Sequence, residues 1–207
     1  MPIPAVAAVI LAAGCSRRME GANKLLASVG GMVLIRRAVA AALASRARPV
    51  IVVLGHQAEL VAAALESLPV QTVLAAAYAE GMSASLRAGL AAVPESVAAA
   101  LIALGDMPFV PTAAYDRLIT AFCASGQGPI CVPVHDQQRG HPVLWPRRFF
   151  SELSALSGDR GGRALLAIHA DQGVSVPVPW SGVLEDIDSA EDLRCFASGG
   201  LRFGPNQ

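Results

Sequence analysis

Ile10-Leu11-Ala12-Ala13-Gly14-Cys15-Ser16-Arg17-Arg18-Met19, running directly into Glu20-Gly21-Ala22-Asn23-Lys24, is the stretch on which the fold turns. The apolar run from Ala5 to Leu11 predicts a buried strand of a parallel sheet, and it stops at small residues and Gly14. A loop leaving the carboxyl end of such a strand is where open α/β sheets bind ligands. Small residues there let backbone N–H groups approach phosphate oxygens, and Arg17, Arg18 and Lys24 bring positive charge close behind. The pattern points to a triphosphate cradle, although a strand-to-helix turn with solvated arginines has the same composition. Two common glycine motifs are excluded. Gly14 and Gly21 are seven apart, which breaks Gly-x-Gly-x-x-Gly, and no Gly-x-x-x-x-Gly-Lys-Ser/Thr occurs.

Around this stretch, 207 residues suit one α/β domain with a sizeable core. Hydrophobic residues make up 54% and charged ones only 15%, so the few places where charge collects become candidate sites. The formal net charge is zero, and there is no basic run or aromatic-interleaved patch, so no nucleic-acid partner is expected. The four cysteines (15, 123, 131 and 195) form no CxxC pair and no zinc spacing. They fit a reducing compartment as small hydrophobes, with Cys15 also open to a role as a reactive thiol. The amino terminus lacks a charged region ahead of an apolar core, and no apolar run reaches a membrane span. A soluble, cytoplasmic protein is the expectation, with no membrane association.

Outward from the first strand, helical spacing of Val33, Leu34, Val39 and Leu43 predicts a helix over 32–47, closed by Pro49. Buried strands are predicted at 50–54, 71–75, 98–104 and 130–134. They alternate with helices near 57–68, 83–92 (Ser83 as N-cap) and 112–124 (Thr112 as cap). That alternation is the doubly wound parallel pattern. After 134 it loosens into a polar turn (136–140), an extended piece (141–145), helices near 147–156 and 162–169, and a late strand (174–178). Ser189 with Asp192 reads as a capping box for a last helix. The second half is expected to add an antiparallel strand and the acceptor side of a cleft.

Three further features carry chemistry. Gly105-Asp106-Met107-Pro108 puts a carboxylate just past a buried strand, on the sheet edge that holds the Gly14 loop. Magnesium takes oxygen ligands and commonly only one or two protein carboxylates, the rest being phosphates and water, so Asp106 suits it. A helix cap or turn is the plainer role. In Glu185-Asp186-Ile187-Asp188, alternation would set Asp186 and Asp188 on one face with Ile187 in the core. Asp188 is the candidate second metal ligand and Asp186 the fallback; acids ahead of a helix are also favoured by its dipole. Arg139-Gly140-His141 is compatible with an anion site for an acceptor substrate, and equally with a satisfied polar turn. Ser157-Gly-Asp-Arg-Gly-Gly-Arg163 reads as a flexible polar loop opening a helix, its arginines compatible with a second phosphate.

These motifs occur in order. Leu-Ala-Ala-Gly-Cys-Ser-Arg-Arg-Met, Asn-Lys-Leu-Leu (23–26), Gly-Met-Ser-Ala-Ser-Leu (81–86) and Gly-Asp-Met-Pro (105–108) come first. Arg-Gly-His-Pro-Val-Leu (139–144), Gly-Asp-Arg-Gly-Gly-Arg (158–163) and Asp-Ile-Asp-Ser-Ala-Glu-Asp-Leu (186–193) follow. Together they resemble the MobA-like molybdenum-cofactor nucleotidyltransferase family, most closely its cytidylyltransferase branch. The resemblance implies a three-layer α/β/α Rossmann-like (GT-A-like) fold, its sheet mostly parallel with one antiparallel strand. It implies one domain over 1–198, with a nucleotide half to about 110, an acceptor half over 111–198, and a tail at 199–207. It further implies that Leu11, Ala12, Ala13, Gly14 and Ser16, with Arg18 and Lys24, hold the triphosphate. Gly81, Ser83 and Ser85 would meet base and ribose, Asp106 and Asp188 would bind Mg2+, and Arg139, Gly140 and His141 would border molybdopterin. Arg18, Lys24 and Asp106 would be the catalytic groups.

The reaction so implied moves CMP from CTP to the terminal phosphate of molybdopterin and releases pyrophosphate, with a molybdoenzyme as recipient of the product. Leu-Ala-Ala-Gly and Phe109 resemble the CTP-using branch. Glu20, where the family usually has glycine, and Gly162, where it commonly has alanine, depart from it. Rival functions are a transferase using GTP or ATP, a nicotinamide-dependent oxidoreductase of the same family, and a non-catalytic cofactor chaperone.

Overall fold

The computed structural model describes residues 4–15, 23–126, 128–159 and 161–197. Its ten strands are β1 (Val6–Ala12), β2 (Ser28–Val29), β3 (Met32–Val33), β4 (Val50–Leu54) and β5 (Gln71–Leu74), then β6 (Ala99–Leu104), β7 (Ile130–His135), β8 (Gln138–Arg139), β9 (Val143–Pro146) and β10 (Gly173–Pro177). The helices are α1 (Leu34–Ala44), α2 (Ala58–Ala64), α3 (Met82–Ala91), α4 (Thr112–Ala124), α5 (Phe150–Ser154), α6 (Arg163–Ile168) and α7 (Ala190–Ala197). The main sheet runs β10-β7-β9-β6-β1-β4-β5, with β8 on β7. Strand β1 pairs in parallel with β4 and β6, and β9 lies antiparallel between β6 and β7. The fold is the α/β arrangement expected, mostly parallel, with β9 and the short β8 reversed.

Alternation along the buried strands builds two cores, one on each face. Ala8, Ile10, Val50 and Val52 join α1, α2 and α4 on one side, where Leu34, Ile35, Leu118 and Ile119 pack. Ala7, Val9, Ile51 and Val53 join α3, α5 and α6 on the other, with Leu86, Leu90, Leu153 and Leu165. A period of two on a strand covered on both faces gives this three-layer result. Helix α3 lies so close to the sheet that a Cβ at Gly89 would stand 2.5 Å from Val9 Cγ1.

Three expectations are corrected. The helix predicted from 32 starts at Leu34, because Met32–Val33 pairs antiparallel with Ser28–Val29 across Gly30 and Gly31, both at positive φ. Two successive glycines of this kind make a tight hairpin, which outranks helical spacing. Ser83 is not an N-cap: α3 begins at Met82 after Gly81, and no side chain caps it. Thr112 does not cap α4 either; Pro111 precedes the helix, and the Thr112 hydroxyl donates to the Ala41 carbonyl at 3.1 Å. The capping box at α7 forms as read, Asp192 N donating to Ser189 Oγ (3.1 Å) and Ser189 N to Asp192 Oδ2 (2.8 Å).

Candidate active site

The strand order switches sides at β1: β4 and β5 are added in parallel on one side of it, and β6 in parallel on the other. Crevices at such a switch point bind ligands. Here the Ala13–Cys15 loop leaves β1, and Gly105-Asp106 leaves β6 beside it, Gly105 N donating to the Leu11 carbonyl at 2.9 Å. A second backbone bond, Ile187 N to the Asp106 carbonyl at 2.9 Å, ties the distant 186–188 segment to the same edge. Ile187 is fully buried, while Asp186 is exposed and Asp188 half-buried, as alternation requires.

Lys24 completes the cluster. Asn23 fixes the short turn over Lys24–Leu26 by accepting from Leu25 N at 3.1 Å. The Lys24 ammonium then donates to Asp106 Oδ2 at 2.7 Å and to Asp188 Oδ1 at 2.6 Å. Burial disfavours its charge, but the field and hydrogen bond of Asp106, with those of Asp188, outweigh this and hold its pKa above 10.5. The other Asp106 oxygen, Oδ1, is buried without a hydrogen-bond partner. Although its side chain reaches solvent, the Asp186 carboxyl is held above the usual carboxylate value by partial desolvation at the rim of the cluster, then by the charges of Asp188 and Asp106. Neighbouring Glu185 is also buried, with both carboxylate oxygens unpaired.

A cavity of about 450 Å³ opens over this cluster. Leu11, Ala12, Ala13, Gly14, Lys24, Gly81, Ser85, Asp106 and Asp188 all line it. Ser83 is not in its wall; it is 2% exposed and its backbone N–H donates to the Gly158 carbonyl at 3.1 Å. Ser16 and Arg18 lie outside the described residues.

A second cavity, about 730 Å³, adjoins the first and shares Leu11, Met82, Leu104 and Asp159 with it. Arg139, Gly140 and His141 line it, as does Arg163, while Trp145, Leu86 and Ile102 give it an apolar wall. Burial lowers the His141 pKa below 6.5, against the raising effect of its hydrogen bond to the Ile102 backbone and of the Asp106 charge, and Nδ1 is left unpaired. The ring is therefore neutral at neutral pH.

Between the cavities the two halves of the chain touch. Gly81 sits at φ +118, and a Cβ there would come within 2.5 Å of the Gly158 carbonyl carbon and 2.7 Å of Asp159 Oδ1. The Gly158–Asp159 stretch is thus docked on the start of α3, and it is the absence of a side chain at Gly81 that admits it.

The arrangement juxtaposes a small-residue loop, a buried ammonium on two carboxylates, and an apolar chamber with basic residues. That is suited to handling phosphate charge beside a bulky second substrate. Residues 8–174 match the MobA-like NTP transferase domain. The chain belongs to that family.

As a MobA-like NTP transferase it is a nucleotidyltransferase, with a nucleoside triphosphate as substrate. Nicotine blue oxidoreductase of Paenarthrobacter nicotinovorans is 29% identical over 196 residues, covering 92% of this chain and 96% of the relative. The structure of Rv0371c from Mycobacterium tuberculosis H37Rv superposes with a TM-score of 0.84 at 29% identity, covering 96% of this chain and all of that one (100%). Its manganese complex gives a TM-score of 0.73 at 26% identity, with 94% and 98% covered. The Methanothermobacter protein Mth528, described as a nucleotidyl transferase, shares the fold at a TM-score of 0.81 and 24% identity, with 96% and 98% covered.

The family match ends before Asp186 and Asp188, so their place in this MobA-like site rests on the geometry. Tyr78 and Met82 line the first cavity and Trp145 the second, although sequence alone assigned none of them a role of its own. Only their positions flanking Gly81 and following the Arg139-Gly140-His141 motif hint at it. No helix among the described residues is long and apolar enough to cross a membrane.

Proposed function

We propose that this MobA-like transferase moves CMP from CTP to the terminal phosphate of molybdopterin, releases pyrophosphate, and uses Mg2+ to do so. The observation that carries the proposal is the convergence of Asp106 and Asp188 on one cationic group beside the Ala13–Cys15 loop. The donor set fits a hard divalent ion: two carboxylates, one with a buried oxygen that has no partner, leave the remaining positions to phosphates and water. Rv0371c in complex with manganese supports the same class of ion. When bound, the ion would neutralise charge on the triphosphate.

The chain's own residues then act by position. Backbone amides of the Ala13–Cys15 loop and the Lys24 ammonium would hold the triphosphate, while Arg139, His141 and Arg163 would orient the acceptor in the second cavity. An acceptor phosphate oxygen forms a bond to the α-phosphorus, the bond to the bridging oxygen breaks, and pyrophosphate leaves with that electron pair. The attacking oxygen is already ionised, so no protein base is needed, and rate enhancement comes from in-line placement and charge neutralisation. The choice of CTP follows the Leu-Ala-Ala-Gly and Phe109 resemblance. The product would pass to a molybdoenzyme, and the cytoplasm suits the nucleotide substrate and the lack of paired cysteines.

A second activity is favoured by the nicotine blue oxidoreductase relative, which this chain covers at 96% of its length. It would show NADPH oxidation without pyrophosphate. The test is incubation with molybdopterin, Mg2+ and each NTP in turn, with pyrophosphate measured, alongside NADPH oxidation with a dye acceptor. Pyrophosphate release with CTP above GTP, ATP and UTP is expected. Hydride transfer alone would sink the transferase proposal.

A further inference from the structure

Asp159 stands where the two cavities meet. Leu11, Met82, Leu104 and Asp159 line both, and of these Asp159 alone carries charge. Its backbone is held in place: the Ser83 amide donates to the Gly158 carbonyl at 3.1 Å, and a Cβ at Gly81 would stand 2.7 Å from Asp159 Oδ1. The side chain is exposed, and its carboxylate enters no hydrogen bond or ion pair among the described residues. It also stands apart from Asp106 and Asp188, since no group of three or more His, Cys, Asp or Glu among the described residues could hold a metal.

The reaction limits what such a group can meet. The α-phosphorus and the acceptor phosphate have to come together where the cavities join. Both the triphosphate and the acceptor phosphate are anions, which a carboxylate repels and, having only acceptor oxygens, cannot hydrogen-bond. The ribose is the remaining group beside the α-phosphorus, joined to it through C5′, and its two adjacent hydroxyls are donors. The two oxygens of one carboxylate match that pair. Dinucleotide-binding folds set an acidic side chain on a ribose hydroxyl in the same way. Ser83, one of the residues expected at base and ribose, is buried outside the first cavity, which leaves the sugar without that contact. We propose that Asp159 holds the ribose of the nucleoside triphosphate by accepting from its 2′- and 3′-hydroxyls, and so makes the protein select ribonucleotides over their deoxy counterparts. The proposal rests on the transferase reading. An acid beside the start of α3 is also favoured by the helix dipole, but a dipole partner would be indifferent to the sugar.

Pyrophosphate release is measured with molybdopterin, Mg2+ and either CTP or 2′,3′-dideoxyCTP, which lacks both hydroxyls. The sugar is common to all NTPs, so GTP and its dideoxy analogue serve equally if GTP gives the faster release. The wild type should favour the ribonucleotide by about 10- to 100-fold in kcat/KM, the worth of hydrogen bonding to a charged acceptor. Asp159→Ala should lose that factor with the ribonucleotide and leave dideoxynucleotide turnover as it was, with thermal melts establishing that the variant is folded. Glu80 is also a carboxylate but lines the first cavity alone, so Glu80→Gln should keep the wild-type preference. A wild type that uses both nucleotides equally overturns the proposal, a result that needs no variant. So does an Asp159→Ala protein that slows both nucleotides alike, the mark of a structural role, or loss of the preference in Glu80→Gln with Asp159→Ala unaffected. In each of these cases pyrophosphate is still released and the transferase reading stands. If no NTP releases pyrophosphate, that reading falls and takes the proposal with it.

Discussion

The two adjoining cavities are made of different chemistry. The first has Lys24, Asp106 and Asp188 locked together within hydrogen-bonding distance at the end of β1 and β6. The second is larger, walled by Trp145, Leu86 and Ile102, and its arginines Arg139 and Arg163 are exposed. Charge placed to a few tenths of an ångström is what a reaction needs, whereas an apolar chamber selects by shape and desolvation. The contrast teaches that substitutions in the first cavity should act on turnover and those in the second on acceptor affinity.

Asp106→Asn tests this hardest. It keeps the side-chain volume and should lower pyrophosphate release by about 10²–10³; an equal loss from a second-cavity substitution would erase the distinction. Gly81→Val comes next, because its side chain would collide with Gly158 and Asp159 where the cavities meet. Displacing the Gly158–Asp159 stretch should cost up to roughly 10² in kcat/KM for both substrates, the scale of a 1 Å misplacement. A variant at wild-type kcat/KM would show that the loop does not join the two chambers.

A smaller effect is expected at His141. His141→Gln should raise the acceptor KM by about tenfold at most, the worth of one neutral hydrogen bond, and leave the nucleotide KM alone. A rise in nucleotide KM instead would put His141 in the wrong cavity. The least effect concerns stability. Burial lowers the folded-state His141 pKa below 6.5, so the unfolded chain takes up its proton first as pH falls. Stability is therefore lost from about pH 6.5 downward, until the folded form also protonates. Melting curves of wild type and His141→Gln should diverge on acidification, the variant losing less; parallel curves would show that the ring is not held neutral.

Much of the first cavity was legible because β1 and β6 are buried on both faces, and continuous apolar runs ending in Gly14 and Gly105 announce their ends. Asp106 could thus be set beside the Gly14 loop with no knowledge of pairing. Asp188 was legible as half of an alternating pair, since Ile187 had to be the buried member. Trp145, Met82 and Tyr78 were not. An apolar or aromatic residue reads the same whether it faces core or cavity, and only the helices packed over it decide. The caps fared unevenly for a related reason: Ser189 and Asp192 bond each other locally, whereas α3 already starts ahead of Ser83 and the Thr112 hydroxyl donates to Ala41, far along the chain.

From sequence alone came the alternation of strands and helices, the small-residue loop, the isolated acids and the ordered motifs, because each depends on spacing between near neighbours. The tertiary structure decided that Lys24 bridges Asp106 and Asp188, that β9 inserts between β6 and β7, and that Gly81 admits Gly158 and Asp159. These are contacts between residues tens of positions apart. No local pattern encodes them, since they are fixed by how the layers pack around one sheet.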